Sequence, residues 1–124
     1  IGVGKIVFGG LGQNLFNPKT AFLGQAWMCQ DTLNPMITNG QMTPIMVIGV
    51  DNGGADRLDE MTYSRDPEYG GGKGDIYLDF IQQQVIPLVV SKYRVKMTVE
   101  KTGILGSSLG GLVRACLGCA CIQY

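Results

Sequence analysis

The chain has 124 residues, with 10 Lys and Arg, 10 Asp and Glu, and no His. That length suits one domain, and a formal net charge of zero excludes the basic excess that a nucleic-acid or anionic-membrane surface would need. The absence of His excludes, within this sequence, a complete Ser-His-Asp triad, a Cys-His dyad and any His-ligated zinc or haem site. No apolar run approaches the ~20 residues of a membrane span. No signal-peptide pattern opens the sequence, which leaves the compartment open with the cytoplasm favoured. A hydrophobic fraction of 45% against 16% charged residues is a globular composition, not a disordered one.

In chain order, Lys5-Ile6-Val7-Phe8 is a short apolar run ended by Gly9-Gly10, which predicts a buried strand. Leu11 to Leu23 is loop-like, with Gly12, Asn14 and Asn17-Pro18 as breakers. Ala26, Cys29, Leu33, Met36 and Ile37 follow helical spacing, and Asn39-Gly40 closes that helix. Ile45 to Val50 is a continuous apolar run that predicts a strand buried on both faces, the mark of a parallel sheet.

Asp51 to Gly74 is a long, polar, Gly-rich segment without periodicity, and loops of that length inside a domain are usually functional. Asp75 is placed to cap a helix whose inner stripe is Tyr77, Phe80, Ile81, Val85, Leu88 and Val89, with Pro87 kinking it or ending its regular part. Tyr93 to Thr102 is a connector, Gly103 to Gly106 a short strand, and Leu109 to Cys121 a helix entered through a sharp turn. The alternation predicts an α/β fold, a parallel sheet core with flanking helices. Ligands of such sheets bind beyond the carboxyl ends of the strands. Those ends are Gly9 to Gln13, Asp51 to Arg57 and Ser107 to Leu109, so the site is expected where these three loops converge.

Three of the four cysteines, Cys116, Cys119 and Cys121, crowd the last nine residues, and Cys29 stands apart. A zinc site would need a second spaced pair, so no metal is expected, and the thiols are read as small apolar residues of a terminal helix. No cofactor is called for by any motif.

Gly106-Ser107-Ser108-Leu109-Gly110 matches G-x-S-x-G, with an apolar strand before it and a helical pattern after it. The chemistry accounts for the pattern. A nucleophilic Ser108 must sit on a strained turn that lifts its Oγ out of the sheet, and side chains at positions 106 and 110 would collide with backbone there. The helix that follows aims free N–H groups at the reacting centre. The Leu109 N–H is one oxyanion donor, and the second is expected near Leu11 to Gln13, from Gly12 or Gln13. A turn of this kind can also bind phosphate without any nucleophile.

At this point the chain resembles the putative-esterase family of the α/β-hydrolases, which includes esterase D-like and enterochelin-esterase-like enzymes. The resemblance runs from Lys5 to Val113. It rests on Gly12-Gln13-Asn14-Leu15-Phe16, on Thr20-Ala21-Phe22 through Trp27, on Ile48 to Asn52, on Arg57 and Glu60 as R-x-x-E, on Gly72-Lys73-Gly74-Asp75 with Tyr77, Asp79 and Phe80, on Tyr93-Arg94 and on Ile104 to Leu112. It implies one partial hydrolase domain over residues 1–124, with an atypical Cys-rich tail at 114–124 that is either a true terminal helix or the product of a shifted reading frame.

The resemblance also implies Ser108 as nucleophile toward a small-molecule carboxylic ester. Leu109 takes the backbone-donor position. Arg57, with Ser107 beside the nucleophile, is a substrate-binding candidate; the alternative is that Arg57 pairs with Glu60 and only orders the loop. Glu60, Asp75 and Asp79 are expected to be structural and Trp27 to be core. The sequence departs from the family at Leu11, where the family has an acidic residue, and at Met61-Thr62-Tyr63.

A serine nucleophile needs a base. With no His present, only Lys73 or Lys101 could form a Ser-Lys pair, and nothing in the sequence places either beside Ser108. Two functions follow: an esterase-family chain acting by acyl transfer through Ser108, or a non-catalytic hydrolase-fold fragment or binding module. The expected partners are an ester, no nucleic acid and no membrane. An open sheet edge would add a second copy or a complementary fragment.

Overall fold

A computed structural model describes residues 5–95 and 97–112. It contains three parallel strands, β1 (Lys5–Gly10), β2 (Ile45–Val50) and β3 (Thr102–Leu105), in the order β2-β1-β3. Between β1 and β2 lies α1 (Cys29–Thr38). Between β2 and β3 lie α2 (Arg57–Met61), α3 (Gly74–Phe80) and α4 (Ile86–Lys92). This is the expected α/β arrangement, with the first strand at the centre. The register pairs Phe8 with Ile48 on one side and with Ile104 on the other.

Side chains alternate across a strand, so Ile6 and Phe8 point to one face, together with Met46, Ile48 and Ile104 of the neighbouring strands. That face is closed by Val85, Ile86 and Val89. A second cluster of Leu11, Met61, Tyr77, Leu78 and Ile81 sits at the carboxyl end of the sheet, with Val50 and Leu109 packed on it. It joins all three strand-end segments to α3, which holds the rim together.

Between α3 and α4 the backbone makes a π-helical turn over Ile81–Val85. Pro87 stands in the first turn of α4, where its missing N–H is accommodated. The regular helix is thus interrupted just before the proline and resumes to Lys92. Of the expected inner stripe, Tyr77, Ile81 and Val89 are buried, whereas Phe80 and Leu88 are 42% and 52% exposed. The buried stripe is narrower than expected because nothing among the described residues covers Phe80 and Leu88; Leu78 and Ile86 join the packed face instead.

Several other expectations are corrected. Among the described residues β2 lies at the edge of the sheet and is only half-buried, not covered on both faces. Trp27 is 44% exposed rather than core; its backbone N–H donates to the Asn14 carbonyl at 2.8 Å. Asp75 does not cap α3: the helix starts at Gly74 with no side-chain cap, and Asp75 lies inside the first turn, where its charge favours the helix dipole. The segment from Asp51 to Gly74 is not wholly a loop, since it contains a 3-10 turn (Gly54–Asp56) and α2, whose Met61 is fully buried. α1 keeps its expected stripe of Cys29, Leu33, Met36 and Ile37, each half-buried, and ends at Asn39-Gly40 as expected. The Cys-rich tail lies outside the described residues, apart from which Cys29 is a free thiol.

Candidate active site

β1 ends at Gly10, and the chain turns through Leu11 in the left-handed region (φ 62) into a 3-10 turn, Gly12–Asn14. Gly12 is forced there by contact. A Cβ on it would lie 2.7 Å from the Val50 carbonyl carbon and closer still to the Gly49 carbonyl carbon and the Val50 nitrogen. The loop after β1 is therefore seated directly on the end of β2. Leu11, where an acidic residue stands in the resembling family, turns its side chain into the rim cluster. The first bonds of the 3-10 turn are donated by the Asn14 and Leu15 N–H groups, so the Gly12 and Gln13 amides ahead of them are not used by the turn itself.

β3 ends at Leu105, and Ser108 follows in the left-handed region with φ 52. Such a backbone costs a non-glycine residue roughly 1–2 kcal/mol and persists where surroundings over-determine it. Here a Cβ on Gly106 would fall 2.8 Å from the Gly111 nitrogen and nearer to the Gly110 carbonyl, so the chain can double back only over glycine. Residues 109–112 are helical. The Gly111 and Leu112 N–H groups donate to the Ser108 carbonyl at 3.0 and 3.1 Å, and the Leu109 amide lies ahead of them at the helix start.

The three strand-end loops do converge. A cavity of about 450 Å3 is lined by Leu11 and Gln13 from the first, Asn52 and Arg57 from the second, and Ser107 and Ser108 from the third. Gly12 and Leu109 are not among its lining residues, although each adjoins one that is. Asn14, Thr20 and Phe22 stand on its far wall; the sequence marked them as parts of the family resemblance but not as site residues. They are folded back by two bonds: the Thr20 hydroxyl donates to the Gln13 carbonyl at 2.8 Å, and the Phe22 N–H donates to Asn14 Oδ1 at 2.9 Å. The Asn17-Pro18 turn was the available signal.

Of the alternatives for Arg57, its pairing with Glu60 is not found. Glu60 Oε2 instead accepts the Gly53 N–H at 2.8 Å, which ties down the loop after β2. Among the described residues the ion pair is Lys73 Nζ with Asp59 Oδ2 at 2.6 Å. That contact comes first, and the Gly71 N–H second, in holding the Asp59 carboxyl below its usual range. Arg57 is half-buried and has no acidic partner among the described residues.

Neither lysine considered as a base reaches this cavity. Lys73 belongs to an adjoining cavity of about 470 Å3, lined also by Asp51, Asp56, Asp59, Glu60 and Tyr77. Tyr77 is pushed up to about 12, by burial first and then by the charges of Glu60 and Asp51, so its hydroxyl stays protonated. Lys101 sits in the 3-10 turn before β3 and lines neither cavity. Among the described residues no group of three or more Cys, Asp or Glu side chains is gathered to hold a metal ion, and no helix is long and apolar enough to cross a membrane.

The chain is similar in fold to the BES protein from Bacillus cereus, with 20% identity and a TM-score of 0.64. The likeness covers 90% of this chain and 42% of that one, so the chain spans less than half the length of this neighbour. No curated protein matches the chain. The family model described as "Putative esterase" matches residues 10–119. The match starts later and ends later than the resemblance read from the sequence, and it takes in both glycine-shaped turns and every residue of the Ser108 cavity. The chain belongs to the putative-esterase family.

Proposed function

We propose that the chain carries the nucleophile side of a serine carboxylic-ester hydrolase site. The observation that carries this reading is Ser108, held at φ 52 between crowded glycines and opening on a cavity that all three strand-end loops line. These features support reading the turn as a nucleophile elbow. Ser108 Oγ attacks the ester carbonyl carbon, its proton passes to solvent water or to a base outside the described residues, and the carbonyl oxygen becomes an oxyanion. The Leu109 amide, with that of Gly12 or Gln13, donates to this oxygen. Collapse breaks the C–O bond, releases the alcohol and leaves acyl-Ser108, which water hydrolyses. Arg57 and Ser107 hold the substrate.

No His occurs in the sequence, and neither candidate lysine lines the cavity, so no residue among those described is placed as the base. The purified chain is expected to release a small, Ser108-dependent burst from p-nitrophenyl acetate without sustained turnover. A serine-directed phosphonate is expected to add its mass at Ser108. Ser108→Ala should abolish both. Sustained turnover would show that a base is present after all. Neither burst nor label in the wild-type chain would remove Ser108 as a nucleophile.

A second reading, a non-catalytic module that associates with a second copy or a complementary fragment, is favoured by the sheet. Among the described residues both β2 and β3 are half-exposed edges, and open edges are templates for pairing. Size-exclusion chromatography with light scattering is expected to give a dimer or larger species. A concentration-independent monomer would count against association.

A further inference from the structure

Two of the three side-chain amides that line the Ser108 cavity have their oxygen engaged by a backbone N–H. Asn14 Oδ1 is committed to the Phe22 N–H at 2.9 Å, and Asn52 Oδ1 to the Gly54 N–H at 2.8 Å. With its oxygen already accepting a backbone N–H, each of these two amides still has both N–H donors of its NH2 group to offer a ligand. Gln13 turns its Oε1 inward, where it is buried without a partner. Thr20 donates its hydroxyl to the Gln13 carbonyl. Among the described residues no Asp or Glu lines this cavity, and the formal charge on its wall is that of Arg57, a half-buried residue.

The isolation of Arg57 is not for want of carboxylates. Asp51, Asp56, Asp59 and Glu60 belong to the same segment, yet all four line the adjoining cavity, which meets the Ser108 cavity at Asn52. Glu60 is bound to the Gly53 N–H and Asp59 to Lys73. The acids thus stand on one side of Asn52 and the lone cation on the other. A guanidinium that no carboxylate engages is left to meet an incoming anion, and its planar fork matches a carboxylate or another oxyanion.

We propose that the Ser108 cavity selects esters carrying a second, anionic oxygen group, received by Arg57 together with the side-chain NH2 groups of Asn14 and Asn52. This rests on the reading of the cavity as the ester site and adds the class of ester. A half-ester of a dicarboxylic acid is the simplest example. Its ester carbonyl faces Ser108 while its free carboxylate meets Arg57.

The test uses the Ser108→Ala chain, so that binding is read without any chemistry. Monomethyl succinate is titrated against methyl levulinate, in which a methyl group replaces the charged oxygen, and against the methyl ester of β-alanine, which carries an ammonium. Affinities come from amide chemical shifts. Monomethyl succinate is expected to bind about tenfold more tightly than methyl levulinate, as a charge-assisted hydrogen bond would give. The advantage should shrink as salt rises from about 0.05 to 0.5 M.

R57Q should remove the preference. N52D should do the same by another route: the Asp keeps an acceptor for the Gly54 N–H, preserving the loop, but puts a negative oxygen where the NH2 stood. Equal binding of the charged and neutral esters, no binding of either, a preference for the ammonium ester, or a preference that survives R57Q in a folded chain would each overturn the proposal. Phosphonate labelling of wild-type Ser108 separates the two readings. Labelling without a preference overturns the anion selectivity alone, and a preference without labelling overturns the nucleophile alone.

Discussion

Gly12→Ala is expected to cost at least about 3 kcal/mol, a large share of the ~5–15 kcal/mol that holds a domain of ordinary stability. The added methyl carbon would meet the Gly49 and Val50 backbone, not a side-chain tip that could swing away. Either the 3-10 turn lifts off β2 or β2 shifts in its pairing with β1, and both break contacts in the rim cluster through Leu11 and Val50. The measurement is the denaturant midpoint by far-UV circular dichroism. Gly103→Ala is the control, because a Cβ there would stand 3.6 Å from Val7 Cγ2 in ordinary contact, and its midpoint should stay near that of the wild type. A small shift for Gly12→Ala would mean that the first loop is not seated as described. The site should suffer with the fold, since the Gly12 and Gln13 amides are carried by the turn that is displaced.

Met61→Ala is the second large effect, expected at about 2–5 kcal/mol. Met61 has 0% exposure and packs in the cluster of Leu11, Tyr77, Leu78 and Ile81. Removing its thioether leaves a void bounded by the first loop on one side and α3 on the other. Neither can close easily, because Leu11 is fixed by its left-handed backbone and Tyr77 by its helix. Met61→Leu, close in volume, should cost less than ~1.5 kcal/mol. Thermal and denaturant unfolding of the pair would check this. A near-equal cost for the two variants would place Met61 outside the core.

These two residues also show what the sequence could and could not disclose. The strands were legible because each is an apolar run of four to six residues beside glycine or proline, and alternation with helices implied parallel pairing. The site was legible for the same reason. Glycines and polar residues follow each strand, and a parallel sheet collects such ends along one edge.

Met61 was hidden because α2 is a single short helix of five residues, too short to display a period, within a segment whose composition reads as loop. Burial at Trp27 was expected from residue type, but nothing among the described residues packs over it closely enough to bury it. The fate of Glu60 was open in principle: a carboxylate three residues from a guanidinium can take either that cation or a nearby backbone N–H, and only the path of the loop after β2 presents Gly53 to it. That choice, invisible in R-x-x-E, leaves Arg57 without an acidic partner among the described residues.

The placing of β1 at the centre of the sheet carries a consequence for how the chain assembles. β1 meets β2 after closing a loop of moderate length, but Ile6 meets Thr102 only when almost the whole chain has been gathered back. Loop closure costs more entropy the farther apart the partners lie, and long-range pairing slows folding. On a ribosome, β1 and β2 emerge and can pair early, while β1's other edge stays open until β3 is released. The turn that shapes Ser108 comes directly after β3, so the geometry on which the chemistry depends is fixed by the latest and most distant contact in the sheet.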